Sequence, residues 1–474
     1  MLFNSIEFIC FLPIVFIVYW LADKHLKWQN FLVVTASYIF YGWWDIRFLS
    51  LIILTSSFCF VSGLLIERAE GNRKKQKIIN TINILLNIGI LGTFKYFDFF
   101  STNIETALHS LGFEPDWITL DVLLPVGISF YTLQALSYSI DVYQKKISAC
   151  HDPIAFFAFV SFFPQLVAGP IERATNLLPQ FYKRRTFDYS KAIDGCRQML
   201  WGFFKKMIIA DNCAMAVNEI WGSYQYQSGF TLLLGGLLFT FQIYGDFSGY
   251  SDIAIGCARL FGIDLMKNFN YPYFSRDISE FWRRWHISLS TWFREYLYIP
   301  LGGNRKGQVR TYVNLLIVFF ATGLWHGAGA TFIIWGLYHG LFLVVERMGL
   351  GKLLEKNCFR GLNHIYTALV VVVGWVFFRA DTLADAKVIL HQMFTWENGI
   401  YPASLFVNRK VIFLAVLGVL LSGIVQSICP KLREHLYEKE VTKTVDIVIM
   451  AVLLFLCTMY LVSSTYNPFI YFRF

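Results

Sequence analysis

His326 lies in the stretch ATGLWHGAGATFIIWG, 321–336, between two apolar runs and bracketed by Gly323, Gly327 and Gly329. A neutral imidazole, its basicity lowered by burial, can accept a proton from a hydroxyl nucleophile. From Tyr312 to Trp325 the apolar run holds about 14 residues, a rise of about 21 Å for a straight helix against a hydrocarbon core of ~30 Å. The turn carrying His326 is therefore expected within the membrane, where an ionisable residue is costly and marks a functional site. The glycines admit close backbone approach and leave room for a ligand. A hydrogen-bonded packing histidine is the competing reading. His339, 13 residues further on, fits no zinc spacing and reads as a packing residue.

A second constellation is FWRRWHISLSTWFREYLYIPLGGNRKG, 281–307. Trp282, Trp285, Leu289, Trp292 and Tyr296 recur at helical spacing, which predicts one aromatic amphipathic helix at the cytoplasmic interface, ended by Pro300. Arg283, Arg284 and Arg294 lie elsewhere around it, and Arg305 and Lys306 follow the turn Gly302-Gly303-Asn304. These cations either anchor lipid phosphates or form an anion site for a phosphorylated donor such as a coenzyme A thioester. Arginine suits phosphate because its fork donates bidentately, but spacing alone does not say which arginine does so. His286 stands inside this helix without a metal partner at i+3 or i+4, and by itself reads as structural.

Two weaker motifs flank these. In GDFSGYSDIAIG, 245–256, Asp246 and Asp252 sit among small residues. They could orient a histidine or cap the next helix, and capping is the expectation for at least one. In SFFPQLVAGPIER, 161–173, Pro164, Gly169 and Pro170 break an apolar segment, either shaping a cavity or making a plain re-entrant turn. The nine cysteines are scattered without a C-x-x-C pair, so neither a metal site nor a disulfide framework is expected.

The elements that must position these residues are membrane helices. Of 474 residues, 56% are hydrophobic and only 15% charged, against about 25% charged in a soluble domain, and the mean hydropathy is +0.50. Apolar runs recur from 6–22 to 445–463, about a dozen in all, which excludes soluble, disordered and coiled-coil classes. The segments 154–171 and 250–266 are too interrupted to cross alone and suit re-entrant elements. The net charge of +9 resides in short loops between runs and speaks for membrane orientation, not nucleic acid. Basic loops at 67–77, 172–191, 267–311 and 430–443 are expected to be cytoplasmic. By contrast, 101–116 and 221–229 contain no Lys or Arg and fall outside. Alternation then puts both termini outside, and the opening run, lacking a basic n-region, reads as a retained anchor.

Together these motifs resemble the membrane-bound O-acyltransferase family, in particular its bacterial branch of alginate O-acetylation and teichoic acid D-alanyl transfer proteins. The pieces that carry the resemblance are SFFPQLVAGPI, FSGYSDIAIG, FWRRWHISLSTWFREYLYIPLGGNR, GLWHGAG, the C-terminal NPFIYFRF and the opening MLFNSIEFICFLPIVFIVYW. The resemblance implies that His326 is the family's active-site histidine and His286 the second histidine of the bacterial branch, reversing the structural reading of His286. Trp325, Asp246 and Asp252 become supporting residues. It also implies an all-α polytopic fold, a ring of about 11–13 transmembrane and re-entrant helices around a thin core with funnels from both faces. The whole chain, 1–474, would be a single membrane domain, with a cytoplasmic motif region at 245–311 and active-site helices at 312–345.

The function so implied is transfer of an acyl group, acetyl above all, from a cytoplasmic donor to an extracytoplasmic polysaccharide or cell-wall polymer. The donor would be acetyl-CoA or another acyl thioester, with no permanently bound cofactor and no metal. An SGNH-like extracytoplasmic acetyltransferase is the expected partner, beside the bilayer itself in the bacterial cytoplasmic membrane. An acyl carrier on the cytoplasmic side is a further partner the resemblance allows. Two other classes stay open, a multi-pass carrier or flippase for a polymer precursor and a catalytically silent scaffold. A carrier should show matching broken helices in its two halves, whereas the polar motifs here concentrate in 245–340. The acceptor, and whether the histidine is a base or a transient acyl carrier, are not legible.

Overall fold

The structure is a computed structural model that describes residues 1–113, 124–356, 361–420, 444–463 and 469–470. Among these residues there are helices and connecting turns and no strand. Five helices are long and apolar enough to cross a membrane, Ile46–Arg68, Arg73–Ser110, Gly229–Leu260, Ala330–Leu354 and Leu362–Arg379. Ile6–Leu21 and Ile447–Val462 are shorter apolar helices. The protein is an all-α polytopic membrane protein. Two compact units are distinguished, one of 1–195 with 257–266 and one of 196–256 with 267–474.

The first unit contains α1 (Ile6–Leu21), α2 (Leu26–Gly42), α3 (Leu49–Arg68), α4 (Arg73–Ser110), α5 (Ile128–Tyr143) and α6 (Pro153–Ser161). Side chains cap several starts: Ser5 accepts from the Phe8 N–H, Asn72 from Lys75, and Asp152 from Ile154 and Ala155. Helix α5 packs on α3 and α4, and α2 packs on α6. Lipid offers no hydrophobic drive between helices, so buried amides and hydroxyls contribute to holding them. Asn83 Nδ2 donates to Ser139 Oγ at 2.8 Å, and Gln134 Nε2 to the Phe159 carbonyl at 2.6 Å. The segment 154–171 does not cross as one helix: α6 stops after 9 residues, and a single turn, Phe163–Leu166, follows around Pro164.

Helix α7 (Tyr189–Phe203) runs across the division into the second unit, where a π-helical stretch, Phe204–Ala210, leads into α8 (Asp211–Gly222). The second unit then contains α9 (Gly229–Leu260, whose last turn belongs to the first unit), α10 (Ile278–Arg284), α11 (Ile287–Phe293), α12 (Gln308–His326) and α13 (Ala330–Val345). It closes with α14 (Leu362–Arg379), α15 (Leu383–Thr395), α16 (Arg409–Val419) and α17 (Thr444–Ser463). Helices α12 and α13 form the tightest pair, and α13 also packs on α14. Small residues make this possible: a Cβ on Gly336 would meet the Phe319 carbonyl oxygen, and one on Gly323 the Phe332 carbonyl oxygen.

Three finer expectations change. The run 250–266 does not begin a separate re-entrant element, because α9, 32 residues long, continues into it as far as Leu260. Its carboxylates are neutralised by lysines of the neighbouring helix and need not interrupt it. Helix α12 has 19 residues, a rise of about 28 Å, so a short helix is not what sets the depth of His326. Finally, 281–307 is not one interfacial helix. It breaks at Trp285 and His286, where His286 takes a left-handed conformation with φ 42° and ψ 54°. Backbone bonds from Ile287 N–H to the Asn268 carbonyl and from Asn270 N–H to the Arg284 carbonyl, both 2.9 Å, hold the break. Trp282, Trp285 and Trp292 are buried in protein rather than laid on lipid.

Candidate active site

His326 is the last residue of α12, almost fully buried. Gly327, extended at φ −164°, turns the chain away from the helix. A side chain on Gly327 would collide with the Phe332 ring, so the turn after His326 packs directly against the start of α13. Its imidazole packs edge-on against Trp335, with ring centroids 4.9 Å apart, and against Phe378 at 5.5 Å. Trp325 brings the second histidine in: its ring lies 4.9 Å from that of His326 and 6.1 Å from that of His286. The two sequence-predicted histidines therefore share one aromatic wall.

His286 is fully buried between Phe247, 4.5 Å away edge-on, and Phe269 at 6.4 Å. It lies outside the five long apolar helices, and burial pushes its imidazole down to about 3, so it stays neutral. Its Nδ1 faces Oδ1 of Asn268 at 3.1 Å. The same oxygen accepts from the Ser288 N–H at 3.2 Å and its hydroxyl at 2.9 Å, while Asn268 Nδ2 donates to Ser251 Oγ at 3.1 Å.

Asp246 and Asp252 play neither role expected of them. Both lie inside α9 rather than at the start of the next helix, and each is held by a lysine from the π-helical stretch. Lys206 Nζ is 2.6 Å from Asp246 and 2.9 Å from Asp211; Lys205 pairs with Asp252 and donates to Ser248 Oγ at 3.0 Å. The other oxygen of Asp246 accepts the Ile470 N–H at 2.7 Å. Phe469 packs 5.6 Å from Phe247, so this residue lies one ring behind His286.

The five cations predicted to face a donor separate. Arg283 and Arg294 line a cavity of about 510 Å³, together with Arg347. Its wall also includes Ile287, next in the chain to His286, and Thr322, one turn before His326. Arg284 instead pairs with Glu280 at 2.5 Å. Arg305 and Lys306 are exposed in the turn before α12 and do not line this cavity. Sequence reasoning missed Asn268, Arg347, Lys205 and Lys206. Only the lysines carried a signal, as adjacent charges inside the apolar run 198–220. Among the described residues no cluster of His, Cys, Asp or Glu could hold a metal.

A helical membrane protein with two buried histidines, one of them at the end of a glycine-packed hairpin, is defined as a class by its sequence relationships. Residues 39–384 match the membrane-bound O-acyltransferase family, and the chain belongs to it. It is an O-acyltransferase of the membrane, and the carrier reading falls. The probable alginate O-acetylase of Pseudomonas putida is 43% identical over 399 residues, 84% of this chain and 81% of that protein. The peptidoglycan O-acetyltransferase of Helicobacter pylori is 34% identical across 100% of this chain and 98% of its own. A teichoic acid D-alanyltransferase of Bacillus subtilis is 29% identical over 53% of this chain and 66% of that protein.

Proposed function

We propose that the protein takes an acetyl group from a cytoplasmic acyl thioester, acetyl-CoA or an acyl carrier, and passes it outward across the bacterial inner membrane. The acceptor is a hydroxyl of an extracytoplasmic polysaccharide or cell-wall polymer, reached through an SGNH-like partner acetyltransferase, and both termini lie outside. The names of the alginate and peptidoglycan relatives support acetyl as the group and a polysaccharide as the acceptor.

The observation that carries this reading is the cavity that joins Arg283, Arg294 and Arg347 to residues adjoining both histidines. Three guanidinium groups suit the phosphates of a donor, and about 510 Å³ falls within the range of small-molecule sites. In this protein's step, the hydroxyl that is loaded first attacks the thioester carbonyl carbon and the C–S bond breaks, leaving an oxygen ester that the partner passes to the polymer. His326 takes the hydroxyl proton and returns it to the departing sulfur as a thiol.

The test is acetyl transfer in proteoliposomes carrying labelled acetyl-CoA on the Arg283 side only, with a soluble oligosaccharide and the partner on the other. Labelled acceptor should form with the wild type and not with His326→Ala at equal protein. Equal labelling in the two preparations would overturn the proposal.

A further inference from the structure

Asn268 sits 18 residues before His286 in the chain and belongs to no motif, yet it grips that histidine from two directions. Its backbone carbonyl holds the Ile287 N–H, and its side chain meets the imidazole. The Ser288 hydroxyl lies 3.4 Å from Nδ1 but donates to the Asn268 oxygen, nearer at 2.9 Å, and the bonding around that side chain then favours one assignment. The Ser288 backbone N–H can only donate, so the Asn268 atom it faces at 3.2 Å is the oxygen. The opposite end of the amide, Nδ2, donates to Ser251 Oγ. An amide oxygen can only accept, so Nδ1 of His286, 3.1 Å from it, carries a hydrogen. A neutral imidazole has one N–H, and the basic lone pair is therefore on Nε2.

We infer that Asn268 is a positioning residue that locks His286 in the Nδ1–H tautomer, so that Nε2 of His286 serves the site as a hydrogen-bond acceptor while His326 takes the proton of the reacting hydroxyl. This rests on the reading of His286 as part of the acyl-transfer site. It deepens that reading, because a histidine held this way accepts a hydrogen from a substrate but has none to donate to an oxyanion. Asn268, Ser251, His286 and Ser288 are each at most 2% exposed, so water does not compete for these bonds. Turning the ring over would forfeit the bond to Asn268. The histidine, carboxylate and arginine groups nearest in the chain segments around His286 include His326 beyond Trp325, Asp246 and Asp252 on α9, and Glu280, Arg283 and Arg284 on α10. Apart from His326 and the cavity-lining Arg283, these are engaged in ion pairs.

The experiment is the pH dependence of kcat for Asn268→Leu, Asn268→Asp and His286→Asn, alone and combined, in proteoliposomes with acetyl-CoA. Asparagine is chosen at 286 because it tolerates the left-handed backbone. Asn268→Leu keeps the backbone bond but offers no acceptor, and kcat should fall about 10–100-fold, the usual cost of losing such an orienting partner, with donor KM unchanged. Asn268→Asp retains accepting oxygens and should recover most of the loss. Its negative charge favours the imidazolium, so the acid limb of its profile should move to higher pH. In the His286→Asn background, Asn268→Leu should cost nothing further.

Wild-type kcat in Asn268→Leu would overturn the inference. So would losses that multiply in the double variant, which indicate a structural role alone, or an Asp variant with an unmoved acid limb. Full activity of His286→Asn by itself would instead overturn the underlying reading of the site, and the inference with it.

Discussion

Lys206 and Asp246 meet as a buried ion pair, Nζ to Oδ1 2.6 Å, with side chains 8% and 3% exposed. Lys206 rises from a π-helical stretch that replaces regular helix between α7 and α8, and Asp246 from the middle of α9. The irregular turn matters because Gly245 and Gly249 let α9 approach that stretch closely, and the two lysines then reach carboxylates that would otherwise stand charged in a membrane protein's interior.

Removing one partner of such a pair leaves the other charge buried, at a cost of about 3–5 kcal/mol. Lys206→Met, which strands both Asp246 and Asp211, should lower the melting temperature in detergent sharply. Lys191→Met removes a pair with Asp264 whose side chains are 49% and 60% exposed, and should leave it unchanged. Equal melting of the two variants would contradict the assignment.

His326→Ala should lower acyl transfer about 10²–10⁴-fold, the usual contribution of a positioned base, while the protein stays folded. His326→Gln keeps a polar side chain without a basic nitrogen and should be nearly as inactive. Steady-state transfer at matched protein levels checks this, and a Gln variant close to wild type would remove the base role.

Arg283, Arg294 and Arg347 should separate from the other cations in donor binding. Each loses a charged hydrogen bond when changed to Gln, worth about 1.5–3 kcal/mol, so donor KM should rise roughly 10-fold or more. Arg305→Gln with Lys306→Gln, outside the cavity, should leave KM in place. Donor titrations decide it; the reverse ranking would put the phosphates at the turn before α12.

Gly336→Val should loosen the α12–α13 hairpin, because its side chain would meet the Phe319 backbone oxygen. Overpacking of this kind costs about 1–3 kcal/mol and should displace the end of α12 that carries His326. A lower melting temperature together with reduced transfer is expected. Gly89→Val, on a glycine with open space around it, serves as the control.

Composition and hydropathy determined by themselves that the chain is a bundle of membrane helices, since apolar runs of that length satisfy their backbone only as helix. The type and surroundings of His326 marked it from sequence, because a titratable group beside glycines within an apolar run has few structural uses. Its partner arrangement was not legible. The helical spacing of Trp282, Trp285, Leu289 and Trp292 fits a single amphipathic helix, and local pattern holds no sign of the left-handed turn at His286. That turn exists because Asn268 and Asn270, remote in sequence, supply backbone bonds to it. Likewise, the charge pattern grouped five cations as equals, while the tertiary structure took Arg283 and Arg294, added Arg347 from just beyond the end of α13, and left the rest outside the cavity. Periodicity reports which residues share a face of one helix; which nitrogen of His286 carries its proton depends on which chain segment packs against that face, and only the folded protein decides that.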